Sequence, residues 1–259
     1  MENWYSQYNE TWPEHSLMLK YVDNFINNGE LHFSPLGYFI DLENEYGDDV
    51  IGDKSEGARI INFDPKQSKT TMIIDDKEYI LDPNDVNSIN VEFTYDTVRE
   101  WGVLSLCNLN AREDLEIEEY DKKTEKAVLK IKDNVIDDLI RLSDDNKRIP
   151  VVINASGLLS VMDSKFTQKG RNIRLQNVEY YPESIQQNIT VDEFKADPGK
   201  IIFLKREKYN YQRESRIALF EDIGKNGENI SIGSLKNCAF KLDPVTGLNN
   251  FRLNAIVKF

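Results

Sequence analysis

The alternation between Tyr211 and Phe220 constrains this chain more than any other stretch. On an extended backbone, Tyr211, Arg213, Ser215, Ile217 and Leu219 point one way, and Gln212, Glu214, Arg216, Ala218 and Phe220 point the other. The apolar run from Ile201 to Leu204 and the polar residues after it predict strand, short polar turn, strand. Glu214 and Arg216 share a face that becomes apolar two residues later. A carboxylate at the edge of an apolar face can be tuned for chemistry. The same pattern also describes a half-exposed ion pair, worth at most about 1 kcal/mol.

The rest of the chain is read by the same periodicities. Residues 1–15 are aromatic and polar and predict an irregular arm. A helix capped by Ser16 carries Leu17, Met18, Tyr21, Val22, Phe25 and Ile26 and ends at Asn28 and Gly29. Leu31 to Ser34 is a short strand, with His32 and Ser34 opposite Leu31 and Phe33, and Pro35 stops it. Gly37 to Gly57 reads as an acidic loop. Its carboxylates lack calcium-loop spacing, so no metal is expected there. Strands are expected at Ile60 to Phe63, Val91 to Val98, Trp101 to Cys107, Ala127 to Lys132, Pro150 to Ile153 and Asn177 to Tyr181. A hairpin is expected across Asp75 to Lys77. Asp114 to Lys126 reads as an exposed connection, Val135 to Leu142 as a helix, and Thr190 with Glu193 as a capping box. The last residues, from Phe251, alternate as a strand. Strands outnumber helices and short turns join them, which predicts an α+β chain with mainly antiparallel sheet in a single domain spanning 1–259.

Charge narrows the classes of partner. The net charge is −13, with 12 basic and 28 acidic side chains in residues 1–130 and 20 basic and 17 acidic thereafter. An acidic first half repels phosphate backbones and argues against broad nucleic-acid binding. Basic residues cluster at Lys165, Lys169, Arg171 and Arg174, and again from Lys200 to Arg216, as solvated faces or as a phosphate-facing surface. No apolar run approaches roughly 18 residues, so no membrane span is expected. Cys107 and Cys238 lie far apart and are expected to be reduced thiols, as in a cytoplasmic protein.

The chain contains no P-loop, no dinucleotide fingerprint, no nucleophile elbow and no zinc-protease motif. Two stretches carry a resemblance instead. Lys20 and Tyr21, followed by Asn28, Leu31, Phe33, Ser34 and Pro35 and then an acidic loop, resemble the opening of a bacterial family, the DUF2971-like group. Its late segment, with lysine, tyrosine, glutamate and arginine, corresponds to Lys205, Tyr209 or Tyr211, Glu214 and Arg216, although Gln212 stands where the family has its first glutamate. The family's middle motif, a Trp and Tyr before a Gly, has no clear counterpart here. The resemblance covers about the first 60 residues and the region 200–220.

That layout is also similar, more distantly, to ADP-ribosyltransferases of the His-Tyr-Glu kind. The resemblance implies an ADP-ribosyltransferase-like core and an NAD-dependent enzyme, a toxin or phage-defence effector modifying protein or single-stranded nucleic acid. It implies Glu214, His32 and Tyr38 as catalytic residues. It also implies that His32, Phe33, Ser34, Tyr38, Lys205 and Arg216 hold NAD. The chemistry is coherent. Cleaving the nicotinamide–ribose bond passes through an oxocarbenium-like state that a carboxylate stabilises, while an imidazole bonds a ribose hydroxyl and a tyrosine ring stacks on nicotinamide. Each residue also has a plain alternative: His32 as a surface histidine, Tyr38 as a loop anchor, Ser34 as a turn residue before Pro35. The alternative for the whole chain is a non-enzymatic defence-related module whose acidic half binds a basic protein, including an antitoxin-like partner. A magnesium-dependent nuclease using the acidic loop is the third reading.

Overall fold

A computed structural model describes residues 2–6, 15–47, 52–63, 66, 71–80, 82, 84, 89–143, 148–182 and 189–257. In chain order the elements are β1 (Glu2–Ser6), α1 (His15–Asn28), β2 (Glu30–Pro35), α2 (Leu36–Tyr46), β3 (Ala58–Phe63), β4 (Thr71–Ile74), β5 (Lys77–Ile80) and β6 (Ile89–Thr94). They continue with α3 (Asp96–Arg99), β7 (Trp101–Leu109), β8 (Leu115–Asp121), β9 (Lys126–Ile131), α4 (Asp133–Leu142), β10 (Pro150–Asn154), α5 (Ala155–Lys169), β11 (Ile173–Asn177) and β12 (Glu179–Tyr181). Last come α6 (Val191–Ala196), β13 (Leu204–Arg206), β14 (Glu214–Asp222), β15 (Glu228–Ser231), β16 (Ala239–Lys241), α7 (Gly247–Asn250) and β17 (Arg252–Ile256). Two 3-10 segments, Pro198–Phe203 and Glu207–Gln212, flank β13. The protein is mixed α/β with mostly antiparallel sheets and few helices; β12 with β13 is the parallel pair. Among the described residues no helix is long and apolar enough to cross a membrane.

The chain forms two compact units, each assembled from separated stretches. The first holds Met1–Pro35, Glu100–Val178 and Tyr209–Phe259, and the second holds Leu36–Arg99 and Glu179–Lys208. Because both units interleave along the sequence, no linker marks them, and the step in charge near residue 130 falls inside the first.

The first unit is built on an eight-stranded sheet in the order β11-β14-β7-β1-β10-β16, with β2 also paired to β7 and β15 paired to β2. Two cores use its two faces. Leu31, Phe33, Leu104, Leu106, Val151, Ile153, Ile217 and Leu219 join Val22 and Phe25 of α1 and Leu158, Met162 and Phe166 of α5. Cys107, Leu109 and Val152 point the other way, into a core with Val135, Ile136 and Leu139 of α4 and with β9. A three-stranded sheet, β17-β9-β8, closes that second core. In the second unit β3 pairs with β6, β4 with β5, and β12 with β13.

Several expectations hold and several fail. The helix ending at Gly29 is present, with Gly29 at φ +59° and its N–H bonded to the Phe25 carbonyl at 2.9 Å. The hairpin at Asp75 and Asp76 is present, both residues at positive φ as a two-residue primed turn demands. The capping box at Thr190 and Glu193 is formed in both directions. The N-terminal arm, however, contributes β1 between β7 and β10, and Trp12 and Pro13 lie outside the described residues. Much of the acidic loop is α2, and the exposed connection after Asp114 contains β8. Ile201 to Phe203 is a 3-10 segment, not a strand, and β13 and β14 are not a hairpin. β14 pairs with β7 and β11, and β13 pairs with β12. Arg213, at φ +48°, breaks the alternation, so the strand begins at Glu214.

Candidate functional site

The candidate site is a polar stripe on the first unit's large sheet, set by strand register. Arg216 lies opposite Ser105, Glu214 opposite Cys107 and Ala218 opposite Val103. Ser34 of β2 lies opposite Val103 on that strand's other edge. Directly opposed residues of an antiparallel pair point to the same side. His32, Ser34, Val103, Ser105, Cys107, Glu214, Arg216 and Ala218 therefore occupy one face, the face that Cys107 shares with the second core. Ser34 and Ala218 flank Val103 two strand spacings apart, about 10 Å. The sheet thus brings the early His32–Ser34 segment and the late Glu214–Arg216 segment onto one surface.

Glu214 is held tightly. Ser105 Oγ donates to its Oε1 at 2.5 Å, Arg216 Nε donates to Oε1 at 2.6 Å, and Arg216 Nη2 donates to Oε2 at 3.2 Å. Glu214 is 6% exposed and Arg216 1%. The half-exposed ion pair of the sequence reading is therefore a buried one, and its energetics follow the rules for buried charge. Ser105 was not singled out in the sequence. Its signal is a lone hydroxyl in the run Val103, Ser105, Cys107 on an otherwise apolar strand.

His32 is partly exposed, and its Nδ1 meets Asn229 Oδ1 of β15 at 2.6 Å, which orients the ring. Gly227 lets its own backbone pass close beside Phe33 and the His32 ring. A Cβ there would stand 2.3 Å from the Phe33 carbonyl oxygen and 3.1 Å from the His32 ring, and its φ is +72°. Phe33 points to the opposite face, fully buried, with its ring edge-on to Phe166 at 6.4 Å. It packs the core on the face away from His32 and Ser34. Tyr38 and Lys205 belong to the second unit. Tyr38 lies on α2, edge-on to Phe39 at 5.5 Å, and Lys205 is buried and paired with Glu56 at 2.9 Å.

Next to Glu214, Arg213 turns away and bonds Asp114 at 2.5 Å and Asp138 at 3.1 Å. Burial raises the Cys107 thiol far above its ordinary value, and the Asp114, Glu214 and Asp138 carboxylates raise it further against the lowering effect of Arg213. That thiol is a packing group, not a nucleophile. Among the described residues no group of three or more histidine, cysteine, aspartate or glutamate side chains is arranged to hold a metal ion.

This arrangement can do two things. It ties β7 to β14 through the Ser105 hydroxyl and the Glu214 carboxylate, which Arg216 of the same strand clamps. It also fixes a carboxylate in a low-dielectric setting, on the face that carries a hydrogen-bonding imidazole, as electrostatic stabilisation of a developing cation requires. Protein-family models, curated proteins and solved structures yield no match to this chain, so the family resemblances rest on the quoted residues alone.

Proposed function

We propose that the first unit binds NAD and cleaves its nicotinamide–ribose bond, transferring ADP-ribose to a protein or single-stranded nucleic-acid acceptor, on an ADP-ribosyltransferase-like core. The observation that carries this reading is the convergence of His32, Ser34, Glu214 and Arg216 on one sheet face. The bond from the ribose anomeric carbon to the pyridinium nitrogen breaks, its electron pair goes to that nitrogen, and neutral nicotinamide leaves. Glu214, fixed by Ser105 and Arg216, stabilises the ribosyl cation. His32, oriented by Asn229, bonds a ribose hydroxyl. The acceptor's nucleophile then bonds the anomeric carbon and loses its proton. The proposal uses residues of the first unit only.

The test is nicotinamide release from NAD, followed by chromatography, with and without a mixed protein and single-stranded RNA acceptor. His32→Ala removes a partly exposed ring and should leave the fold intact while weakening turnover. Glu214→Asp keeps the charge beside Arg216 but withdraws the carboxylate, and should reduce the rate by about 10²–10³. No release by the wild-type chain under any of these conditions would sink the reading and leave the protein-binding module in its place.

A further inference from the structure

We infer that Arg59 anchors an oxyanion site in the second unit, built to receive a phosphate group, free or as part of a nucleotide. Arg59 lies on β3 opposite Phe93 of β6 and is 1% exposed. Among the described residues, nothing accepts a hydrogen bond from its buried Nη1 or Nη2. The acids buried in the same unit form their ion pairs with other cations, although Glu56 does so through Oε1 and, among the described residues, its Oε2 accepts no hydrogen bond. Glu56 pairs with Lys205 at 2.9 Å, Asp53 pairs with Arg206 at 2.7 Å, and Glu43 pairs with Arg206 as well.

A guanidinium cannot shed its charge under ordinary conditions, so burial without an acceptor leaves both a charge and its donors uncompensated. A native fold tolerates this where a ligand supplies the missing acceptor. The Arg59 fork presents parallel N–H groups that match two oxygens of one oxyanion, and phosphate brings several acceptor oxygens with its negative charge. Burial also pulls the Arg59 group below its ordinary value, in the direction expected of a cation without a counter-ion. The site shares no residue with the Glu214 face and does not rest on the NAD proposal.

The test is thermal unfolding of the full chain in a chloride buffer of constant ionic strength, titrated with inorganic phosphate. The expected result is a saturable rise in Tm. At a phosphate concentration 100 times its Kd, the folded-to-unfolded ratio should rise about 100-fold. Arg59→Met should be at least as stable as wild type without phosphate and should lose the response. Arg59→Lys keeps a point charge without the fork and should respond weakly. ADP, with adenosine as control, separates the sources. A stronger response to ADP than to phosphate identifies a nucleotide phosphate, and an equal or weaker one identifies free phosphate. If Arg59→Met fails to fold, equilibrium dialysis of phosphate against wild type and Arg59→Lys decides the matter. Three outcomes overturn the inference: no shift, equal shifts in wild type and Arg59→Met, or a response to acetate but not phosphate. Glu214→Asp should retain the phosphate response, so the two proposals fail separately.

Discussion

Arg216 clasps Glu214 from two residues along the same strand, Nε donating to Oε1 at 2.6 Å and Nη2 to Oε2 at 3.2 Å, with both side chains buried. Such a pair is strongly destabilising to break and mild to replace. Glu214→Ala leaves an uncompensated guanidinium and should cost about 3–5 kcal/mol, as should Arg216→Ala. Glu214→Leu combined with Arg216→Met should cost less than either single change. Urea unfolding of the three variants measures this. Single variants within about 1 kcal/mol of wild type would show that the pair behaves as an exposed one.

The backbone at Arg213 offers a separate measurement. Its φ of +48° is left-handed, and its guanidinium bonds Asp114 and Asp138. Arg213→Ala and Arg213→Gly both remove the ion pairs, but alanine alone retains the left-handed penalty of about 1–2 kcal/mol. Arg213→Gly should therefore be the more stable of the two by about 1 kcal/mol. Denaturant midpoints at constant slope provide the comparison, and equal midpoints would mean that the turn relaxes once the arginine is gone.

How far the sequence reached depended on whether a local period decided the matter. Val22 and Phe25 at helical spacing before Gly29, and Ile217 and Leu219 at a spacing of two, were legible because one buried face dictates each pattern. α2 was not legible, because the acids from Asp41 to Glu45 interrupt its buried residues, with Leu36 and Ile40 one turn apart and Leu42 on another face. β1 was not legible because its place between β7 and β10 is a tertiary pairing with no local signature. For the site, the shared side of Glu214 and Arg216 followed from alternation. Ser105 could not be predicted, since its partner is more than a hundred residues away. Arg59 was missed because the expected strand began at Ile60, one residue later, and no local pattern marks an arginine there as buried.

The two thiols should behave differently. Cys107 is buried and its thiol is raised by burial and by nearby carboxylates, while Cys238 is partly exposed and raised by burial alone. With a disulfide exchange reagent at pH 8, the native chain should release one equivalent slowly from Cys238, and the second only on unfolding. Two equivalents released together from native protein would show that β7 opens readily at Cys107.

Glu43 connects charge to pH within the second unit. Burial raises its carboxyl, but the Lys54 N–H at 2.7 Å and the Arg206 and Lys208 cations outweigh that, and the group sits below its ordinary value. An unfolded glutamate titrates near pH 4.3. A group depressed on folding adds stability that is fully present above the unfolded value and is lost as pH falls through the folded one. The stability difference between wild type and Glu43→Gln should therefore stay constant from about pH 7 down to about pH 5 and shrink below about pH 4.3. Lys208→Met should change that acid limb little, because Lys208 is more exposed and reaches Glu43 at only 3.4 Å. Arg206→Met should flatten it and also leave Asp53 buried without its cation. Equilibrium unfolding across this pH range measures all four chains. A wild-type advantage that fades between pH 7 and pH 5 would place the controlling titration on another group and exclude Glu43 as its source.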